Sequence, residues 1–158
     1  MKILGIDPGL AITGYGILDV EGDRVRLQNA GSFATSRGVL SERLHKIFMK
    51  VTELIASESP EEVAVEEGFY GKNVKVALSL GQSRATVLLA CSLGGVPIYE
   101  YSPREVKQSV VGRGSASKEQ VNYMIKVLLS LNESPKPLDV SDALAVAYCH
   151  YQRRERKF

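Results

Sequence analysis

The sequence predicts an α/β domain: a mixed five-stranded sheet with helices on both faces. Two observations carry that expectation. The first part of the chain reads as three strands joined by tight turns, which suggests an antiparallel meander. From Val39 onward, stretches with helical spacing alternate with short apolar runs, as strand–helix crossovers do. The chain has 158 residues, 44% hydrophobic and 24% charged, which suits one compact domain.

Lys2–Asp7 is an apolar run ending in an acid, read as a buried strand. Gly9 and Gly14 bracket a turn, residues 13–20 alternate as a second strand, and Glu21-Gly22-Asp23 signals a hairpin into a third strand over 24–35. Residues 39–57 place Leu40, Leu44, Ile47, Phe48, Val51, Leu54 and Ile55 at helical spacing, with Ser41 near the start. Pro60 ends that helix. A fourth strand, 63–66, again finishes in carboxylates. A second long helix covers 73–93, capped by Asn73 and stopped by Gly94-Gly95. Residues 97–101 form a fifth strand. Helices follow at Pro103–Val111 and 118–131, separated by a Gly/Ser loop at 112–117. Two prolines mark 132–138 as a linker before a last helix at 139–150. The domain is expected to span 1–152, with 153–158 a basic, frayed tail.

Composition narrows the function classes. The longest apolar stretch, 85–93, is about half a membrane span. An acid and a proline follow the N-terminus too early for a secretory signal, so cytoplasmic residence is the expectation. Cys91 and Cys149 lack partners at metal spacing and read as buried, reduced thiols; His45 and His150 receive no role. Residues 1–70 carry 7 basic and 11 acidic side chains, residues 71–158 carry 13 and 7. A basic second half invites a polyanionic partner.

The acids carry the chemistry. Asp7 ends the first strand, Glu66 and Glu67 end the fourth, and Asp139 and Asp142 open the last helix, three apart and therefore on one side. Singly, each has an ordinary explanation as a turn residue, strand end or helix-start acid. If the first and fourth strands are neighbours, however, Asp7 and one glutamate converge at the sheet's carboxyl edge, where the last helix can close over them. Two carboxylates ~4 Å apart repel by roughly 4 kcal/mol at an effective dielectric near 20, so such a cluster persists by protonation or by binding a cation. All-oxygen ligands select Mg²⁺ or Mn²⁺ over zinc. Four acids can hold two ions, an arrangement suited to phosphodiester cleavage. Spacing leaves the choice between Glu66 and Glu67 open, although strand alternation admits only one of them.

Six blocks in order resemble the RuvC family of Holliday junction resolvases. They are Gly5-Ile6-Asp7-Pro8-Gly9 with Thr13-Gly14-Tyr15-Gly16; Val65-Glu66-Glu67-Gly68-Phe69 with Lys72-Asn73; Leu80-Gly81-Gln82-Ser83-Arg84; Val106-Lys107-Gln108; Val110-Val111-Gly112; and Asp139-Val140-Ser141-Asp142-Ala143-Leu144-Ala145. The resemblance covers residues 1 to about 150. It implies a ribonuclease H-like fold and a homodimer that makes two symmetric nicks in a four-way DNA junction with Mg²⁺. It carries the four catalytic, metal-holding acids onto Asp7, Glu66, Asp139 and Asp142. Lys107 and Lys118 match family lysines near the active site, Arg113 joins them as a DNA contact in the glycine-flanked loop, and Phe69 matches an aromatic that stacks on junction bases. The family's dimer contact points to the helix at 73–93, whose Val76, Leu80, Val87 and Leu88 are nevertheless read mostly as core. Family members act with the RuvA–RuvB branch-migration proteins. Gly68 departs from the pattern, where a bulky apolar residue is usual.

The competing expectations are a related nuclease acting on RNA or non-junction DNA, a junction-binding protein without catalysis, and an actin-like nucleotide-binding fold. The last needs a second half for which 158 residues leave no space.

Overall fold

The structure, a computed structural model, describes residues 1–35, 37–68 and 71–155. β1 (Lys2–Asp7), β2 (Ile12–Glu21) and β3 (Arg24–Ala34) form the expected antiparallel meander. After α1 (Leu40–Glu58), β4 (Glu62–Glu66) returns parallel to β1; after α2 (Val74–Leu93), β5 (Ile98–Tyr101) adds parallel to β4. The sheet order is β3-β2-β1-β4-β5. α3 (Pro103–Val111), α4 (Lys118–Leu128) and α5 (Leu138–Glu155) complete the chain.

Strand alternation splits the core into two layers. Leu4, Ile6, Ile17, Val63 and Val65 face α1 and α2, packing on Ile47, Val51, Ile55, Val87 and Cys91. Ile3, Leu18 and Ala64 face the other way, onto the layer of α3, α4 and α5. Both faces are therefore covered, as the sequence predicts.

α5 is the central helix of its layer. Residues 140–151 are all buried, because the sheet covers one side and α3 and α4 cover the other. A helix enclosed this way can be apolar all round. Its closeness to the sheet depends on missing side chains: Gly5 pairs with Gly16, and Gly14 with Asp7, across β1 and β2. A Cβ on Gly5 would strike the carbonyl oxygen of Ala143, and one on Gly14 the carbonyl oxygen of Asp139.

Boundaries differ from expectation where local chemistry decides. α1 starts after Val39, which offers no side-chain cap, so Ser41 lies inside the helix. α3 and α4 each open on a complete capping box, Ser102 with Glu105 and Ser117 with Gln120. α4 ends at Leu128 rather than 131, with Ser130 turned to a φ of 53° just beyond. α5 continues into the segment expected to fray: Arg153 pairs with Glu105 at 3.0 Å and Arg154 with Glu62 at 3.0 Å. Residues 156–158 of that tail lie outside the described residues. Cys91 and Cys149 are buried free thiols, and burial pushes the Cys91 thiol up to about 12.

The expectation for α2 needs correcting. Val87 is fully buried and Leu88 packs against the core, but Val76 is 53% exposed and Leu80 borders a cleft. Val74, Leu78, Leu89 and Leu93 are exposed as well.

Candidate active site

β1 and β4 run parallel side by side, so their carboxyl ends finish together. Parity decides which glutamate joins Asp7. Along β4, Val63 and Val65 enter the α1–α2 core while Ala64 enters the α5 layer; Glu66 shares the parity of Ala64, as Asp7 shares that of Ile3. Glu67 falls on the other parity and is exposed at the rim. The first turn of α5 then brings Asp139 and Asp142 over the same edge, held close by the bare backbone of Gly14.

The four acids line one cleft of about 490 Å³. Pro8, Gly9, Lys107, Lys118, Leu80 and Arg84 share its walls. The β1–β2 loop beside Asp7 is fixed from behind: Thr13 Oγ1 donates to the Gly9 carbonyl at 2.9 Å, and Arg43 donates to the Leu10 carbonyl at 3.2 Å.

Electrostatics show how tightly the acids interact. Burial pushes the Asp7 carboxyl well above its usual range; Glu66, Asp142 and Asp139 push the same way, against Lys118. Glu66 is raised to about 7, mainly by burial and then by Asp142, while Lys118 and Lys107 pull it down. Lys118 Nζ donates to Asp142 Oδ2 at 2.8 Å, and that bond foremost raises the lysine above its ordinary value.

These shifts set a testable stability profile. A carboxyl raised by folding stabilises the native state fully below its unfolded value, near 4.5 for Glu66, and loses that contribution as pH rises through about 7. In cation-free buffer the melting temperature of the native protein should therefore fall between about pH 5 and pH 8. Glu66→Gln should flatten the fall, and an equally steep profile in that variant would contradict the assignment. Calorimetry across that pH range makes the comparison.

The donor set fits a hard divalent cation: four carboxylates around one cleft, two of them forced toward protonation by burial and by neighbouring acids. As the side chains lie, no three acidic, His or Cys groups among the described residues are placed to hold one ion together. Asp142 is instead held by the Lys118 ammonium, which offsets charge from outside the acid cluster.

The other expected site residues separate clearly. Lys107 and Lys118 reach the cleft. Arg113 is exposed in the α3–α4 connection and does not line it. Phe69 lies outside the described residues. Two features had no expectation attached. Arg84 of α2 enters the cleft wall and pairs with Glu100 of β5. His150, given no role, bridges Tyr101 Oη at 2.7 Å and Glu62 Oε2 at 2.8 Å, tying α5 to β4 and β5. The signal for the latter was Glu62, which shares the parity of Ala64 and so faces α5.

A 3-2-1-4-5 mixed sheet with carboxylates gathered where β1 and β4 end defines a ribonuclease H-like nuclease. Within that class the match is specific. The family model described as crossover junction endodeoxyribonuclease RuvC matches residues 3–150, and the chain belongs to that family. The RuvC of Pelotomaculum thermopropionicum is 49% identical over 151 residues, covering 95% of this chain and 92% of the relative. The solved Thermus thermophilus RuvC has a TM-score of 0.90 at 37% identity, covering 99% of this chain and 97% of that one. A second structure, T. thermophilus RuvC in complex with Holliday junction substrate, has a TM-score of 0.89 at 35% identity over 99% of this chain and 96% of that one.

Proposed function

We propose that this protein nicks four-way DNA junctions at two symmetric positions, using Asp7, Glu66, Asp139 and Asp142 to hold divalent cations. The observation that carries the reading is the convergence of those four acids in one cleft walled by lysines. The T. thermophilus relative bound to a Holliday junction supports the choice of substrate.

Two Mg²⁺ ions, replaceable by Mn²⁺, would activate water and neutralise the departing 3′ oxygen of the cut strand. Asp7 and Glu66 stand at the neighbouring carboxyl ends of two paired parallel strands, which places both at the same edge for a cation. Lys118 balances Asp142 in the free protein, and Lys107 lines the same cleft as Glu66. Both lysines, with Arg113 at the exposed loop, suit backbone phosphates rather than base edges. Phe69 is assigned base stacking at the junction.

Cutting two strands symmetrically calls for two copies of the site. Val74, Leu78, Leu89 and Leu93 line an exposed face of α2, with the small residues Gly81 and Ala85 exposed between them. A self-complementary stripe of this kind suits a second copy of the chain. The RuvA–RuvB complex is the expected further partner, and the cytoplasm the expected compartment.

The test compares a labelled four-way junction with linear duplex and an RNA hairpin in Mg²⁺. Paired symmetric nicks confined to the junction are expected. Leu89→Arg should sediment as a monomer and leave unpaired, slower nicks. Cleavage of RNA or plain duplex in place of the junction would move the protein to another branch of the fold. Paired nicking by a monomeric Leu89→Arg protein would overturn the dimer.

A further inference from the structure

The cleft holds three cationic side chains, and two are committed to its acids. Lys118 is bonded to Asp142, and the Lys107 charge draws the raised Glu66 carboxyl back down. Arg84 differs. It lines the same cleft, yet among the described residues its ion pair is with an acid outside the four. Its guanidinium pairs with Glu100 of the neighbouring β5 strand. Its Nε is buried and, among the described residues, has no hydrogen-bond partner.

Placement of Arg84 is firm. The preceding Ser83 is fully buried and donates to the Ser79 carbonyl at 2.9 Å, and Val87 is fully buried one turn later. These anchors fix the face of α2 that Arg84 occupies. A buried guanidinium N–H without an acceptor is costly, so this side chain carries unused donor capacity at a site built for an anionic strand. A phosphodiester presents two oxygens to the guanidinium fork, a geometry that lysine cannot match.

We propose that Arg84 clamps a backbone phosphate of the DNA strand lying in the cleft, and that Glu100 holds the guanidinium until phosphate replaces it. The inference rests on the cleft binding DNA, as argued above.

Junction binding is measured with the Asp7→Asn protein, so that the substrate survives, across a range of salt concentrations. Adding Arg84→Ala should weaken binding about tenfold and reduce the slope of log affinity against log salt by about one. Arg84→Lys should keep the slope while recovering only part of the affinity. Glu100→Gln should tighten binding, a gain that no folding defect produces. Melting curves confirm that each variant is folded. An unchanged salt slope in Arg84→Ala, or weaker binding in Glu100→Gln, overturns the clamp. Failure of the Asp7→Asn parent to bind any junction instead removes the reading of the cleft itself, and the clamp with it.

Discussion

Asp7→Asn should abolish nicking while leaving junction affinity within a few-fold of the native protein. The substitution keeps the shape of the side chain and removes one negative charge from the centre of the acid cluster. Asp7 feels all three other acids, so its charge is the one most shared within the site. Losing a ligand that supports several kcal/mol of charge stabilisation in the transition state costs on the order of 10³-fold in rate or more. Binding should be spared, because the proposed phosphate contacts come from Lys107, Lys118 and Arg84 rather than from the acids. Single-turnover cleavage of an end-labelled junction, paired with a binding titration, reads both quantities. Retention of more than about a tenth of native activity would mean that Asp7 stands outside the chemistry.

Gly14→Ala should cost nearly as much, from a residue with no functional group. Its added methyl would meet the carbonyl oxygen of Asp139, which is backbone and cannot rotate away. α5 must lift from β2 at the turn that supplies Asp139 and Asp142. Overpacking of this kind costs about 1–3 kcal/mol in stability, and a displacement near 1 Å costs roughly 10²-fold in rate. Gly22 supplies the control. It has a φ of 58° and nothing within 4 Å of an added Cβ, so Gly22→Ala should lose about 1 kcal/mol of stability while nicking at the native rate. Equal activity in the two variants would show that α5 does not depend on that close approach.

Much of this arrangement was legible in the sequence because it rests on local pattern. The meander followed from Gly9, Gly14 and the Glu21-Gly22-Asp23 turn, and the convergence of Asp7 with a glutamate followed once β1 and β4 were neighbours. Spacing left Glu66 and Glu67 open and the resemblance chose Glu66; parity agrees once the structure shows Val63 and Val65 on the face opposite α5. What stayed hidden depends on tertiary contact. Val76 reads as core by helical spacing and does share the face of Ser83 and Val87, yet the buried part of α2 begins only at Ser83, and the first turns of the helix stay exposed. His150 reads as an isolated histidine until α5 packs beside Glu62 and Tyr101, residues far away along the chain. Residues 153–155 of the expected tail belong to α5 for the same reason: Arg153 and Arg154 pair with Glu105 and Glu62, which sequence spacing does not bring together.

The cation requirement tests the central claim most directly. An end-labelled four-way junction is incubated with the native protein in Mg²⁺, in EDTA, and in EDTA followed by excess Mn²⁺, and the cut positions are mapped on all four strands. The four-carboxylate cleft predicts two symmetric nicks in Mg²⁺, none in EDTA, and their return at the same positions with Mn²⁺. Nicks that persist undiminished in EDTA would contradict it.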